Sequence, residues 1–190
     1  MSAPCELMIC MGVSGSGKTT LARTLCALTG FRFFDADDYH SQANTALMQR
    51  GIPLTNAQRA PWMQKVCAAL ADAKLNGQHS VLAHSALQAQ HRAQLRALGF
   101  NTRFIFLDGN RTTIAARIQQ RAGHFMPARL LDSQYQTLQC PTGEPDVLRL
   151  DIALSTQQMV ASLTDARLLA QCPAQFAAAL ADCATASSPG

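Results

Sequence analysis

Residues 7–28 read LMICMGVSGSGKTTLARTLCAL, and no other stretch narrows the folding options of this chain as much. Its centre, Gly12-Val13-Ser14-Gly15-Ser16-Gly17-Lys18-Thr19, fits G-x-x-x-x-G-K-[ST]. The apolar run before it predicts a buried strand over 7–11. After it, Leu21, Leu25 and Leu28 recur at spacings of four and three and predict a helix over 18–28. Glycines let backbone N–H groups turn inward toward a phosphate, and the helix N-terminus adds its dipole and free donors. In this pattern Lys18 reaches the β/γ-phosphates and the Thr19 hydroxyl ligates Mg²⁺. Gly12, Val13, Ser14, Gly15, Ser16, Gly17 and Thr20 complete the expected cofactor-binding set, with ATP and Mg²⁺ as cofactors. A Gly/Ser-rich surface turn could match the motif by chance, but it would lack the strand and helix on either side.

Downstream, apolar runs and helical periodicity alternate. Gly30 is a natural helix stop, and 31–34 predicts a second strand ending at Asp35-Ala36-Asp37-Asp38-Tyr39-His40. Carboxylates at the carboxyl end of a strand sit where open α/β sheets bind ligands. Asp35 and Asp37 can therefore share a Mg²⁺-and-substrate site, or form a solvated acidic turn. A short helix is expected over 41–50. Thr55 and Gln58 have capping-box spacing, and Pro61-Trp62 is expected to open a long helix over 62–75. Arg59 lies in the entry segment, either gripping a ligand carboxylate or lying on the surface. Further strands are expected at 80–84, 103–107 and 147–152. Further helices are expected at 88–98, 111–121, 128–138 and 156–169, the last opened by the Ser155/Gln158 capping pair. Arg117 and Arg121 are four apart and share a helix face, serving either a ligand or the helix dipole. Residues 123–127 resemble the hinge and tip of a mobile segment. Five strands alternating with helices make an α/β fold, a parallel sheet covered on both faces.

With 190 residues the chain is most simply one domain. The net charge of +4 is spread along the sequence, so a polyanionic small ligand accounts for it without nucleic acid. Seven cysteines, an odd number with no C-x-x-C pair, suggest free thiols in a reducing compartment. The longest apolar runs are too short to span a bilayer, and the first strand begins at once, so no membrane partner and a cytoplasmic location are expected.

The motifs taken together resemble one family. MGVSGSGKTT at 11–20, DADDYH at 35–40, GIPL at 51–54 followed by RAPW at 59–62, HSAL at 84–87 followed by HR at 91–92, and RAGHFMPARLLDSQYQTL at 121–138 occur in the order seen in gluconokinases. The resemblance covers about residues 7–169. It implies a three-layer P-loop kinase fold with sheet order 2-3-1-4-5 and transfer of the ATP γ-phosphate to the 6-hydroxyl of D-gluconate. It also implies a kinase domain over 1–170, an acceptor-binding part at about 36–78, a lid at about 121–138 and a possible homodimer, while the alanine-rich composition of 171–190 marks a C-terminal extension beyond it. On this basis Asp37 sits beside the acceptor hydroxyl, and Asp35 supports Mg²⁺. His40, Arg59, His84, Ser85 and Arg92 contact the sugar acid. Arg117 stacks on adenine, and Arg121 joins Lys18 and Asp37 as a catalytic group.

The departures from the family pattern gather on the acceptor side. Cys-Ser-Ala-Leu-Lys is His84-Ser85-Ala86-Leu87-Gln88 here, Tyr-Arg is His91-Arg92, His-Pro is His40-Ser41, and a lysine before Met48 is Leu47. Two ammonium groups are thus missing from the half expected to handle an anion. Each charge-assisted hydrogen bond contributes about 1.5–3 kcal/mol, roughly one to two decades in affinity if nothing replaces it. His84 and His91 can replace part of that as neutral donors or when protonated. Two rival readings remain: a kinase with another sugar acid or hydroxylated acceptor, and an ATP-binding sensor without turnover.

Overall fold

The computed structural model describes residues 4–120 and 128–165. Five parallel strands, β1 (Glu6–Met11), β2 (Arg32–Asp35), β3 (Ser80–Ala83), β4 (Asn101–Asp108) and β5 (Val147–Asp151), form one sheet in the order β2-β3-β1-β4-β5. The helices are α1 (Lys18–Thr29), α2 (Gln42–Gln49), α3 (Asn56–Leu75), α4 (Ala89–Arg96), α5 (Arg111–Gln120), α6 (Ala128–Thr137) and α7 (Thr156–Asp165). The three-layer fold and the strand order are those expected. No described helix is long and apolar enough to cross a membrane.

The two faces of the sheet explain why its strands are apolar throughout. Leu7, Ile9 and Met11 of β1 point into a core with Trp62, Val66 and Leu70 of α3. Met8 and Cys10 point the other way, into a core with Leu21 and Leu25 of α1 and Leu163 of α7. β4 repeats the alternation, with Phe104 and Phe106 on the α3 side and Ile105 and Leu107 on the other. A strand buried on both faces cannot show the apolar–polar alternation of a half-exposed one.

α3 starts six residues before the expected Trp62, at Asn56. The Thr55/Gln58 capping box is fully formed, and it nucleates the helix ahead of Pro61. Pro61 forfeits one backbone bond inside the first turns. The burial of Trp62, Met63, Val66, Leu70 and Ala73 along one stripe outweighs that loss.

From β1 the chain passes first to β2 and β3 on one side and later to β4 and β5 on the other. The reversal leaves a crevice at the carboxyl ends of β1 and β3, where open α/β sheets bind ligands. Arg121, the 123–127 segment, the end of the expected 156–169 helix and the 171–190 extension lie outside the described residues. The five described cysteines, Cys5, Cys10, Cys26, Cys67 and Cys140, are all free thiols. Burial holds the Cys10 thiol far above its ordinary value and pushes Cys26 up to about 11, so neither is a ready nucleophile.

Candidate active site

The loop between β1 and α1 is built on glycines that have no substitute. Gly12 has φ +143, and a Cβ there would come within 2.7 Å of the Leu107 carbonyl. Gly15 has φ +81, and its Cβ would meet Ile118 at 2.7 Å. The loop thus closes tightly against β4 and α5. The Lys18 ammonium donates to the Val13 carbonyl at 3.0 Å, which folds its side chain back over the loop. From α6, Gln134 reaches across to Ser14. Its side-chain oxygen accepts from the Ser14 backbone N–H at 2.7 Å, and its amide donates to the Ser14 hydroxyl at 3.1 Å.

The carboxylates stand opposite this loop. The Thr19 hydroxyl donates to Asp35 Oδ2 at 3.2 Å, joining the first turn of α1 to the end of β2. Asp35 Oδ1 accepts from the Asp37 backbone N–H at 3.1 Å and so caps the short 3₁₀ turn Ala36–Tyr39. That turn is pinned from below, where the Trp62 indole N–H donates to the Ala36 carbonyl at 2.6 Å. Thr19 and Asp35 are adjacent hard oxygen donors beside a phosphate loop, a donor set suited to Mg²⁺.

One cleft of about 700 Å³ gathers these groups. Ser14, Gly15, Gly17, Lys18, Thr19, Asp35 and Asp37 line it, and so do His40, Arg59, Trp62, Ser85, Gln88, His91 and Gln134. On its far wall, Arg59 and Gln88 both donate to Asn56 Oδ1, at 3.3 and 3.0 Å. Trp62 is sandwiched between imidazoles. His40 stacks on one side at 4.4 Å and 9°, and His84 at 4.7 Å and 14°. His91 meets Trp62 and His84 edge-on, each at 6.0 Å. Burial holds all three histidines below their ordinary values, His84 at about 3. A second cavity of about 400 Å³ opens beside the loop, lined by Ser16, Gly17, Thr20, Arg117 and residues of the β5–α7 connection. There the Arg117 guanidinium donates to the Ile152 carbonyl at 2.5 Å.

Comparison with known proteins gives this geometry its lineage. A family model described as an AAA domain matches residues 7–141. The thermosensitive gluconokinase of Escherichia coli (strain K12) is 41% identical over 148 residues, covering 77% of this chain and 79% of that protein. The chain belongs to the gluconokinase family. Two solved structures agree with that placement. A sugar kinase from Janibacter sp. HTCC2649, unliganded, superimposes with a TM-score of 0.81 at 36% identity, covering 92% of this chain and 99% of the other. A gluconokinase from Sinorhizobium meliloti 1021 gives 0.74 at 32%, with 98% and 97% covered.

Within this gluconokinase-family fold, two expected acceptor contacts require correction. Arg92 does not reach the cleft. Its side chain is only 1% exposed and donates to Glu144 (3.0 and 2.5 Å) and to the carbonyls of Ala86 (2.9 Å) and Leu87 (3.3 Å). Position 92 lies on the inner face of α4, so the guanidinium braces the 84–88 loop from behind. His84 also sits beneath the surface. Its Nδ1 accepts from the Ala86 N–H at 2.8 Å and holds Ala86 at φ +45, a conformation costly for a residue with a Cβ. His84 shapes the loop that presents Ser85 and Gln88 without itself lining the cleft.

Gln88 and His91, two of the acceptor-side departures, line the cleft, and so do Trp62 and Gln134, which the sequence did not mark. For Trp62 a signal existed, because a lone tryptophan at the start of a helix carries an N–H that needs a partner when buried. For Gln134 no local signal existed, since its partner Ser14 is 120 residues away.

Proposed function

We propose that the chain phosphorylates D-gluconate at its 6-hydroxyl, with Mg-ATP as donor. The observation that supports this most directly is the single cleft joining Lys18 and Thr19 to Asp35, Asp37 and Arg59, in a gluconokinase-family chain.

Each residue then has a physical task. The loop amides and the Lys18 ammonium cradle the β- and γ-phosphates. The second cavity, beside Thr20 and Arg117, accommodates the base and ribose, with the guanidinium plane over the adenine. Thr19 and Asp35 would hold Mg²⁺, which when bound neutralises charge between the phosphates. Asp37, which lines the same cleft as Lys18, takes or orients the proton of the attacking hydroxyl. Ser85 hydrogen-bonds acceptor hydroxyls, and Arg59, with His40 beside it, meets the carboxylate. Phosphoryl transfer asks chiefly for alignment and charge neutralisation, and this set supplies both. Arg121 and the 121–138 lid complete the proposal, adding positive charge at the transferring group and excluding water.

A coupled ADP-release assay with Mg-ATP and the purified chain tests the proposal, comparing D-gluconate, related sugar acids, shikimate and no acceptor. Gluconate-dependent ADP release is the expected result. Turnover with a different acceptor only would move the reading to another small-molecule kinase, and Mg-ATP binding without any turnover would move it to a sensor.

A further inference from the structure

We propose that His91 and His40, beside Arg59, form a carboxylate subsite that takes up a proton when an anionic acceptor binds, so that these two imidazoles set the preference for sugar acids over neutral sugars. The inference rests on the sugar-acid-kinase reading of this cleft.

Arg59 is a half-buried cation facing the cleft, and among the described residues it pairs with no carboxylate. Its only side-chain hydrogen bond there goes to a neutral amide oxygen, that of Asn56. Such a site attracts an anion. Both neighbouring imidazoles line the same cleft. His40 has a buried Nδ1 with no hydrogen-bond partner among the described residues. Its ring is clamped face-on to Trp62. His91 is nearly buried and held edge-on to Trp62 and His84.

The charges around the two rings set the sign of the coupling. His40 faces Asp37, which favours its protonation, and Arg59, which opposes it, after a larger penalty from burial. His91 is opposed by burial first, then by Arg59 and by Arg92 beneath it. His84 meets the His91 ring edge-on and feels the charges of His40 and Lys18 at a distance, but its own deep burial keeps it neutral. Both cleft-lining imidazoles are therefore neutral at neutral pH in the free protein. A carboxylate on Arg59 cancels the opposing charge and adds an attractive one, raising both pKa values. Binding of the anion then draws in protons. Its affinity rises as pH falls through the liganded pKa values and levels off below the free ones. An uncharged polyol, lacking the carboxylate, carries no such linkage.

The test is titration calorimetry of D-gluconate into the full chain, in two buffers of different ionisation enthalpy, together with the KM for gluconate as a function of pH. We expect net proton uptake at about pH 6.5 that disappears near pH 8.5, and a gluconate KM at least about threefold lower at roughly pH 6 than at pH 8. His91→Gln keeps a hydrogen-bonding amide but cannot titrate, so it reduces both effects. His91→Lys supplies a permanent charge, so KM stays low and becomes flat with pH. Trp62, the only tryptophan, provides a readout independent of turnover: its emission is quenched by gluconate at about pH 6.5, and His40→Gln removes the quenching. Gluconate turnover with no proton uptake and a pH-independent KM would overturn the subsite and leave the kinase reading intact. Absence of gluconate binding and turnover would overturn both.

Discussion

The side-chain oxygen of Gln134 lies 2.7 Å from the backbone nitrogen of Ser14, and the Gln134 amide returns a hydrogen bond to the Ser14 hydroxyl at 3.1 Å. These two bonds tie α6 to the phosphate loop and occupy a backbone donor of the loop itself. A bound nucleotide competes with Gln134 for that part of the cleft. Gln134→Ala is therefore expected to tighten nucleotide binding. One neutral hydrogen bond contributes about 0.5–1.5 kcal/mol, so the change should be roughly two- to tenfold. Calorimetric titration with ADP measures it, and unchanged or weaker binding would show that the contact does not compete.

Lys18 lines the cleft, and none of its ammonium is needed by the hydrophobic cores. Lys18→Ala should reduce turnover by about 10²–10³, the usual cost of removing a preorganised electrostatic group. Stability should change little, within about 0.5 kcal/mol, as for a substitution away from the core. Steady-state kinetics and a urea melt on the same preparation separate the two effects. Near-normal kcat would mean that the loop does not handle the reacting phosphates.

Asp35 and Asp37 sit two residues apart but are held differently, so their amide variants should fail differently. Asp35 is bonded to Thr19 and to the Asp37 N–H, next to the expected metal position. Asp35→Asn should raise the Mg²⁺ concentration needed for half-maximal rate. Asp37→Asn should lower kcat far more than it alters the KM for ATP. Equal loss in both parameters for Asp37→Asn would put that residue at the metal instead.

Arg92 is a buried cation whose removal leaves Glu144, among the described residues, with only Arg96 as an ion-pair partner. Breaking a fully buried pair costs about 3–5 kcal/mol. Glu144 remains partly exposed, so Arg92→Met should cost about 2–3 kcal/mol by denaturant unfolding. The pH dependence has a definite sign. Hydrogen bonding to Arg92, aided by Arg96, holds the Glu144 carboxyl below its ordinary value. The stability this pairing contributes is present above the unfolded carboxyl pKa of about 4.3 and is lost as pH falls through the lower folded value. The gap between the two proteins should therefore narrow below about pH 4. A gap that is constant with pH would assign the cost to packing alone.

Much of the fold was legible in the sequence because its signals are local. The G-x-x-x-x-G-K-[ST] run, the two capping pairs at Thr55 and Ser155, and the apolar strand segments each depend on neighbours within a few residues. The same holds for the placement of Lys18, Thr19, Asp35 and Asp37, which follow directly from loop and strand ends. Even the misjudged start of α3 was a contest between two local signals, the capping box and Pro61, that stripe burial settled.

The direction in which a side chain points is another matter, because it depends on partners brought together by the sheet. His91 and Arg92 are adjacent on α4, yet one lines the cleft while the other is buried against Glu144, 52 residues later. His84 lies beside Ser85, yet it turns under the loop to hold Ala86. The sequence by itself determined that a phosphate loop, an acidic strand end and a parallel sheet would form, since short-range sterics and hydrophobic period dictate them. Only the tertiary structure decided which of the acceptor-side cations and imidazoles face the ligand, since that choice is made by long-range packing and by where each buried charge finds its counter-ion.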